Sequence, residues 1–142
     1  MSMSSTPDEE PQNAPQAASA GDDVLAGRRI LIVEDDPFIA MALEDTLLDF
    51  GMSVAGIARN LREAERLALE SVFDVALLDV NIGHDTIDPV AEAVAARGLP
   101  FVFTTGHGRA GLPEAYRDRA IVEKPFYVDE ILRALREQLQ GG

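Results

Sequence analysis

The chain has 142 residues, is 46% hydrophobic, lacks cysteine and carries a formal charge of −13. That length suits one domain with a single core, and the missing cysteine excludes disulfides, thiolate catalysis and zinc–thiolate sites. The negative charge argues against nucleic acid as a partner. No apolar run approaches the roughly 18 residues of a membrane span, so a cytoplasmic protein bound to neither membrane nor nucleic acid is expected.

Residues 1–27 are rich in Ser, Pro, Gln and Ala and include Asp8, Glu9, Glu10, Asp22 and Asp23. With little to bury, the segment is expected to be a disordered acidic tail ahead of a domain spanning 28–142. Arg29–Val33 is a short β-branched apolar run, read as a buried strand. Asp36-Pro37 supplies a capping acid and a first-turn proline, and Ile39, Leu43, Leu47 and Phe50 recur at helical spacing until Gly51. Ser53–Ala58 is the second strand, and Asn60 with Glu63 opens a helix to about Glu70.

Val75–Leu78 is a third buried strand, ended by Asp79. Asp88-Pro89 repeats the cap-and-proline signal for a helix closing at Gly98. Phe101–Thr104 is the fourth strand, and Gly106, Gly108, Gly111 and Pro113 leave room for only a short fourth helix near Glu114–Arg119. Ala120–Glu123 is the fifth strand, and Val128–Leu139 is an amphipathic helix turning Ile131, Leu132, Leu135 and Leu139 inward. Strands that alternate with helices and read as continuous apolar runs predict a parallel sheet covered on both faces. The expected class is a doubly wound, flavodoxin-like (βα)5 fold of order 2-1-3-4-5, with its site beyond the strands' carboxyl ends.

The strand ends carry Glu34, Asp35 and Asp36, then Asp79, Thr105 and Lys124, the only lysine among twelve Lys and Arg residues. Carboxylates about 5 Å apart repel by about 3 kcal/mol at an effective dielectric near 20. Such a cluster holds protons or a cation, and oxygen ligands without cysteine or a nearby histidine favour Mg²⁺. Mg²⁺ takes few carboxylates and commonly a phosphate, so a phosphoryl group would complete the site and contact Lys124 and Thr105. Asp79, alone on the central strand, is the best candidate for an aspartyl phosphate. Asp36 reads as a helix cap, His84 as a surface loop residue, and Asn81 and His107 as flanking candidates for controlling water access.

Residues 30–37 (ILIVEDDP), 77–81 (LLDVN), Thr105 and 124–126 (KPF) together resemble the receiver domain of bacterial two-component response regulators over residues 28–142. The resemblance implies that Asp79 accepts a phosphoryl group from a histidine kinase or histidine phosphotransfer protein. It implies Mg²⁺ held by Glu34, Asp35, Asp79 and the Asn81 backbone carbonyl, with Thr105 as switch hydroxyl and Lys124 as phosphate-binding lysine. The expected protein is a phosphoacceptor switch that assists its own phosphotransfer and dephosphorylation and is otherwise no enzyme. Because the sequence ends just after the last helix, it is expected to stand alone, as a monomer or weak dimer, with output through a downstream protein.

Ile121 stands where receivers usually carry Tyr or Phe, and residues 103–107 (FTTGH) are similar to the signature of the stand-alone FAT GUY receivers. That subgroup is tied to alphaproteobacterial general stress signalling. Transmission is therefore expected through the glycine-rich 106–113 loop and the short fourth helix. The alternatives are a phosphorylation-independent binding module or a phosphate sink. A flavin carrier is disfavoured because three acids replace the Ser, Thr or Gly that a flavin phosphate needs after the first strand.

Overall fold

Apolar runs form five parallel strands in the order β2-β1-β3-β6-β7, where β1 is Arg29–Val33, β2 Ser53–Ala58, β3 Val75–Asp79, β6 Phe101–Thr105 and β7 Ile121–Glu123. This computed structural model describes residues 23–106, 108 and 112–141. The expectations attached to His107 and to the tail before Asp23 lie outside the described residues. Taken in chain order, the five long strands follow the expected 2-1-3-4-5 arrangement of a flavodoxin-like α/β fold. Between β3 and β6 lies a small antiparallel hairpin, β4 (Asn81–Ile82) and β5 (Asp85–Thr86), that the sequence reading did not anticipate.

Among the described residues four α-helices cover the sheet: α1 (Pro37–Asp49), α2 (Leu61–Glu70), α3 (Asp88–Ala96) and α4 (Val128–Gly141). The expected short fourth helix of five is instead a single 3-10 turn, Glu114–Tyr116. Its sequence sits between Pro113 and a run of charged residues, with no apolar stripe to hold a longer helix.

Local chemistry sets the helix ends. Asp36 caps α1, its Oδ1 accepting from the N–H groups of Phe38 and Ile39 at 2.9 and 3.2 Å. Gly51 ends α1 at φ +88, a conformation few side chains adopt. The N–H of Gly51 donates to Leu48 O and that of Met52 to Leu47 O, closing a Schellman motif. Asn60 Oδ1 caps α2 on the Glu63 N–H, and Glu63 Oε1 accepts the Arg59 N–H. Asp88 is not the cap expected of it: buried Ile87 takes the cap position, and no side chain bonds there.

Alternation along the strands sends residues to two cores. Leu31, Val33, Ala76, Leu78, Phe101 and Phe103 pack with α2 and α3. Ile30, Ile32, Val75, Leu77, Val102 and Val122 pack with α1 and α4. The packed region begins ahead of the expected boundary at residue 28. Leu25 is fully buried in the second core, and Asp23 forms a two-pronged ion pair with Arg136 of α4 at 2.7 and 3.2 Å. Leu25, with Val24 packed beside it, and one acid pin this segment to the domain.

Candidate functional site

The carboxyl ends of β1, β3, β6 and β7 bring Glu34, Asp35, Asp79, Thr105 and Lys124 to one edge of the sheet. β1 and β3 are hydrogen-bonded neighbours, with Val33 opposite Leu78, so the residues that follow emerge side by side. Carboxylate oxygens of Glu34, Asp35 and Asp79 lie within 4.8 Å of one another. Glu34 and Asp79 are buried, whereas Asp35 is only partly covered.

Lys124 reaches in from the end of β7. Its Nζ lies 2.9 Å from Glu34 Oε1 and 3.1 Å from Asp79 Oδ2. The lysine's own N–H donates to Thr105 O at 2.8 Å, which ties the two strand ends together. Asp79 Oδ1 accepts the Asn81 N–H at 3.2 Å, and Glu34 Oε2 accepts the Asp36 N–H at 3.0 Å. Thr105, the last residue of β6 rather than the first beyond it, is buried and donates its hydroxyl to the Gly108 carbonyl at 3.4 Å.

The electrostatics follow from burial. Desolvation pushes the Glu34 carboxyl up to about 7, against the pull of the Asp36 N–H and Lys124, with the Asp79 charge adding to the rise. Lys124 is held above its ordinary value: burial opposes its charge, but Glu34 and Asp79 together outweigh that.

Whether the residues suit a cation is decided at Glu34 Oε1. It is buried and has no hydrogen-bond partner among the described residues, with the Lys124 ammonium 2.9 Å away as its ion-pair partner. One ammonium faces three clustered carboxylates, which leaves an excess of negative charge, and a hard divalent cation is the ligand that three oxygen donors suit. The donor set therefore fits Mg²⁺.

All the expected site residues except His107 fall within the described region, and the structure places them as follows. Asp36 turns away as a cap, and His84 is exposed in the β4–β5 turn. Asn81 is exposed in β4 and meets the site through its backbone. The sequence reading missed Gly83, whose N–H donates to Asp35 Oδ2 at 2.8 Å. The signal was present: glycine at the first central position of a two-residue turn, flanked by Ile82 and Ile87. It also missed Gly108, where φ is +63 and a Cβ would stand 2.6 Å from Glu123 Oε2.

Fold and site together define a doubly wound domain with an acidic, lysine-closed pocket at its switch point. Residues 30–136 match the model of the response regulator receiver domain. The chain is 32% identical over 117 residues to the transcriptional regulatory protein PdtaR of Mycobacterium tuberculosis, covering 80% of this chain and 57% of that protein. It is 30% identical to the chemotaxis protein CheY of Thermotoga maritima, covering 78% of this chain and 97% of that one. Among solved structures, SdrG from Sphingomonas melonis Fr1 is 40% identical with a TM-score of 0.70, covering 81% of this chain and 98% of that chain.

The chain belongs to the response regulator receiver domain family. It spans 57% of PdtaR and 43% of the phyllosphere-induced regulator PhyR of Methylorubrum extorquens, to which it is 31% identical. Resemblance to the FAT GUY subgroup agrees with the PhyR and SdrG similarities. Receiver domains are signalling switches of two-component systems that bind Mg²⁺ at an acidic pocket and work with histidine kinases and downstream proteins. No described helix is long and apolar enough to cross a membrane.

Proposed function

We propose that this receiver accepts a phosphoryl group on Asp79 from the phosphohistidine of a histidine kinase or histidine phosphotransfer protein. The observation that carries the reading is a buried carboxylate at the end of the central strand, with Lys124 on one oxygen and the Asn81 N–H on the other. In the transfer a P–O bond forms at Asp79 while the donor's P–N bond breaks, and the released imidazole nitrogen takes a proton. Glu34, Asp35, Asp79 and the Asn81 carbonyl are the residues that would hold Mg²⁺. Bound there, the ion supplies positive charge against the carboxylates and phosphoryl oxygens.

Lys124 is the partner for a phosphoryl oxygen, and Thr105 supplies a hydroxyl that exchanges the Gly108 carbonyl for phosphate. Such a switch shifts the fold only by the difference in these contacts between two states. Output is through protein–protein contact in the cytoplasm, as a single-domain regulator. The near-complete coverage of the CheY and SdrG chains supports the single-domain part of this reading. The FAT GUY-like segment and the PhyR and SdrG similarities support a place in general stress signalling.

The test is labelling by a small phosphodonor such as acetyl phosphate with Mg²⁺. Wild type should become labelled and Asp79→Asn should not. Labelling that survives the substitution overturns the assignment. Equal partner affinity with and without the donor would favour a phosphorylation-independent module.

A further inference from the structure

The hairpin that follows Asp79 is rooted in the core at both legs. Ile82 is 2% exposed and Ile87 fully buried, and the Ile87 N–H donates to Val80 O at 3.2 Å. Only the tip and outward residues, Asn81, Gly83, His84, Asp85 and Thr86, are exposed. Packing therefore fixes where the tip sits, and the tip carries the Gly83 N–H to 2.8 Å from Asp35 Oδ2, across 48 positions of sequence. Gly83 has φ +59, and a Cβ there would meet nothing within 4 Å. Glycine is needed for the turn's backbone, not for room.

Asp35 is the member of the acidic trio that most needs holding. Glu34 and Asp79 are buried against Lys124, whereas Asp35 is the least buried of the three, and an untethered side chain must be ordered when it becomes a ligand. A carboxylate has two oxygens, so one hydrogen bond to the hairpin leaves the other free. Outer groups that orient a ligand commonly set metal affinity.

We propose that the Gly83 N–H is a positioning group for the divalent-cation site, keeping Asp35 aimed and staying bonded to it when the cation is held. The inference rests on the cation site proposed above. The hairpin is then a fixed wall of that site and not a gate that opens to admit the ion.

Amide NMR of the full chain tests this, with Asp35→Ala marking where the untethered Gly83 resonance falls. On saturation with Mg²⁺, the wild-type Gly83 amide should stay downfield of that position and protected from exchange. Movement to the Asp35→Ala position would overturn the proposal. As a second measurement, Gly83→Ala keeps the donor and takes the positive φ at a cost, whereas Gly83→Pro removes the donor and cannot take that φ. The comparison counts only where the amide spectra show Ile82 and Ile87 still seated in the core. Mg²⁺ should bind Gly83→Pro about three- to tenfold more weakly than Gly83→Ala; equal affinities would overturn the proposal. Failure of wild type to bind Mg²⁺ would instead remove the cation site itself, and the inference with it.

Discussion

Glu34→Gln in divalent-free protein measures what the acidic cluster costs the fold. With its carboxyl raised from 4.5 to about 7, the folded chain binds a proton at Glu34 more tightly than the unfolded chain does between those values. Stability therefore falls as pH rises through that window and stays lowered above it. At about 1.4 kcal/mol for each pH unit, the gap amounts to about 3 kcal/mol. Glutamine removes that charge, and the attraction to Lys124 that it gives up is already contained in the net rise.

The expected net gain is therefore about 3 kcal/mol well above pH 7, or on the order of 10 °C in Tm for a domain of this size. Thermal unfolding followed by circular dichroism in EDTA, at pH 7.5 and pH 5, reads it directly. At pH 5 most of the folded wild type is protonated at Glu34, so the advantage should shrink below about 1 kcal/mol. Adding Mg²⁺ should raise wild-type Tm by mass action and leave Glu34→Gln nearly unmoved. A variant no more stable than wild type at pH 7.5 without divalent ions would refute the reasoning.

Lys124→Arg keeps the charge but puts a planar fork where a single ammonium touches two carboxylates at 2.9 and 3.1 Å. Labelling of Asp79 should persist while the beryllofluoride-induced shift of the Thr105 and Gly108 amides falls severalfold; a full response would show that lysine has no special part. Asp23→Asn removes the ion pair with Arg136 and should cost about 0.2–1 kcal/mol at neutral pH. Because the Arg136 guanidinium holds the Asp23 carboxyl below its ordinary 3.8, that contribution is present above 3.8 and lost as pH falls through the lower folded value. A wild-type-to-variant difference in urea midpoint that ignores pH in this range would contradict it. Gly108→Ala meets both a φ of +63 and a contact with Glu123 Oε2, and should cost about 1–2 kcal/mol from the backbone alone. Adding Glu123→Ala should recover only part of the total loss, and complete recovery would show that the backbone carries no strain.

Much of this architecture was readable in the sequence because each strand is buried on both faces and each turn carries its own chemistry. Val75–Leu78 could only be interior, and Asp36-Pro37 and Gly51 bracket α1 as capping rules require. The site was legible because four polar residues end apolar runs, and the sheet topology brings such ends together. Three features escaped for physical reasons. The hairpin strands are two residues each, too short for alternation to register. Val24 and Leu25 make too short an apolar run to register as an element, and the burial of Leu25 depends on a pocket made by distant elements. At Asp88 the cap signal was outweighed by tertiary packing, since the preceding Ile87 is drawn into the core.

The departure at Ile121 has a counterpart elsewhere in the same core. Phe101, Phe103 and Thr105 alternate onto one face of β6. Phe101 stacks edge-on with Phe103 and with Tyr116 of the 3-10 turn at 5.3 and 5.7 Å, and Arg119 lies 4.8 Å above the Phe101 ring. Ile121 is paired in register with Phe103 and packs against the same cluster. The aromatic ring missing from β7 is thus supplied from the turn that replaces the fourth helix. Aromatic pairs of this kind contribute about 0.5–1.5 kcal/mol each, enough to seat a short turn that has few other apolar anchors. The hydroxyl at the site and the rings that hold the turn consequently share one strand face, two and four residues apart. On the proposed role of Thr105, a contact drawing it toward a phosphoryl group would act on the strand that carries the turn's seat, a route from the site to residues 112–119 that needs no aromatic at position 121.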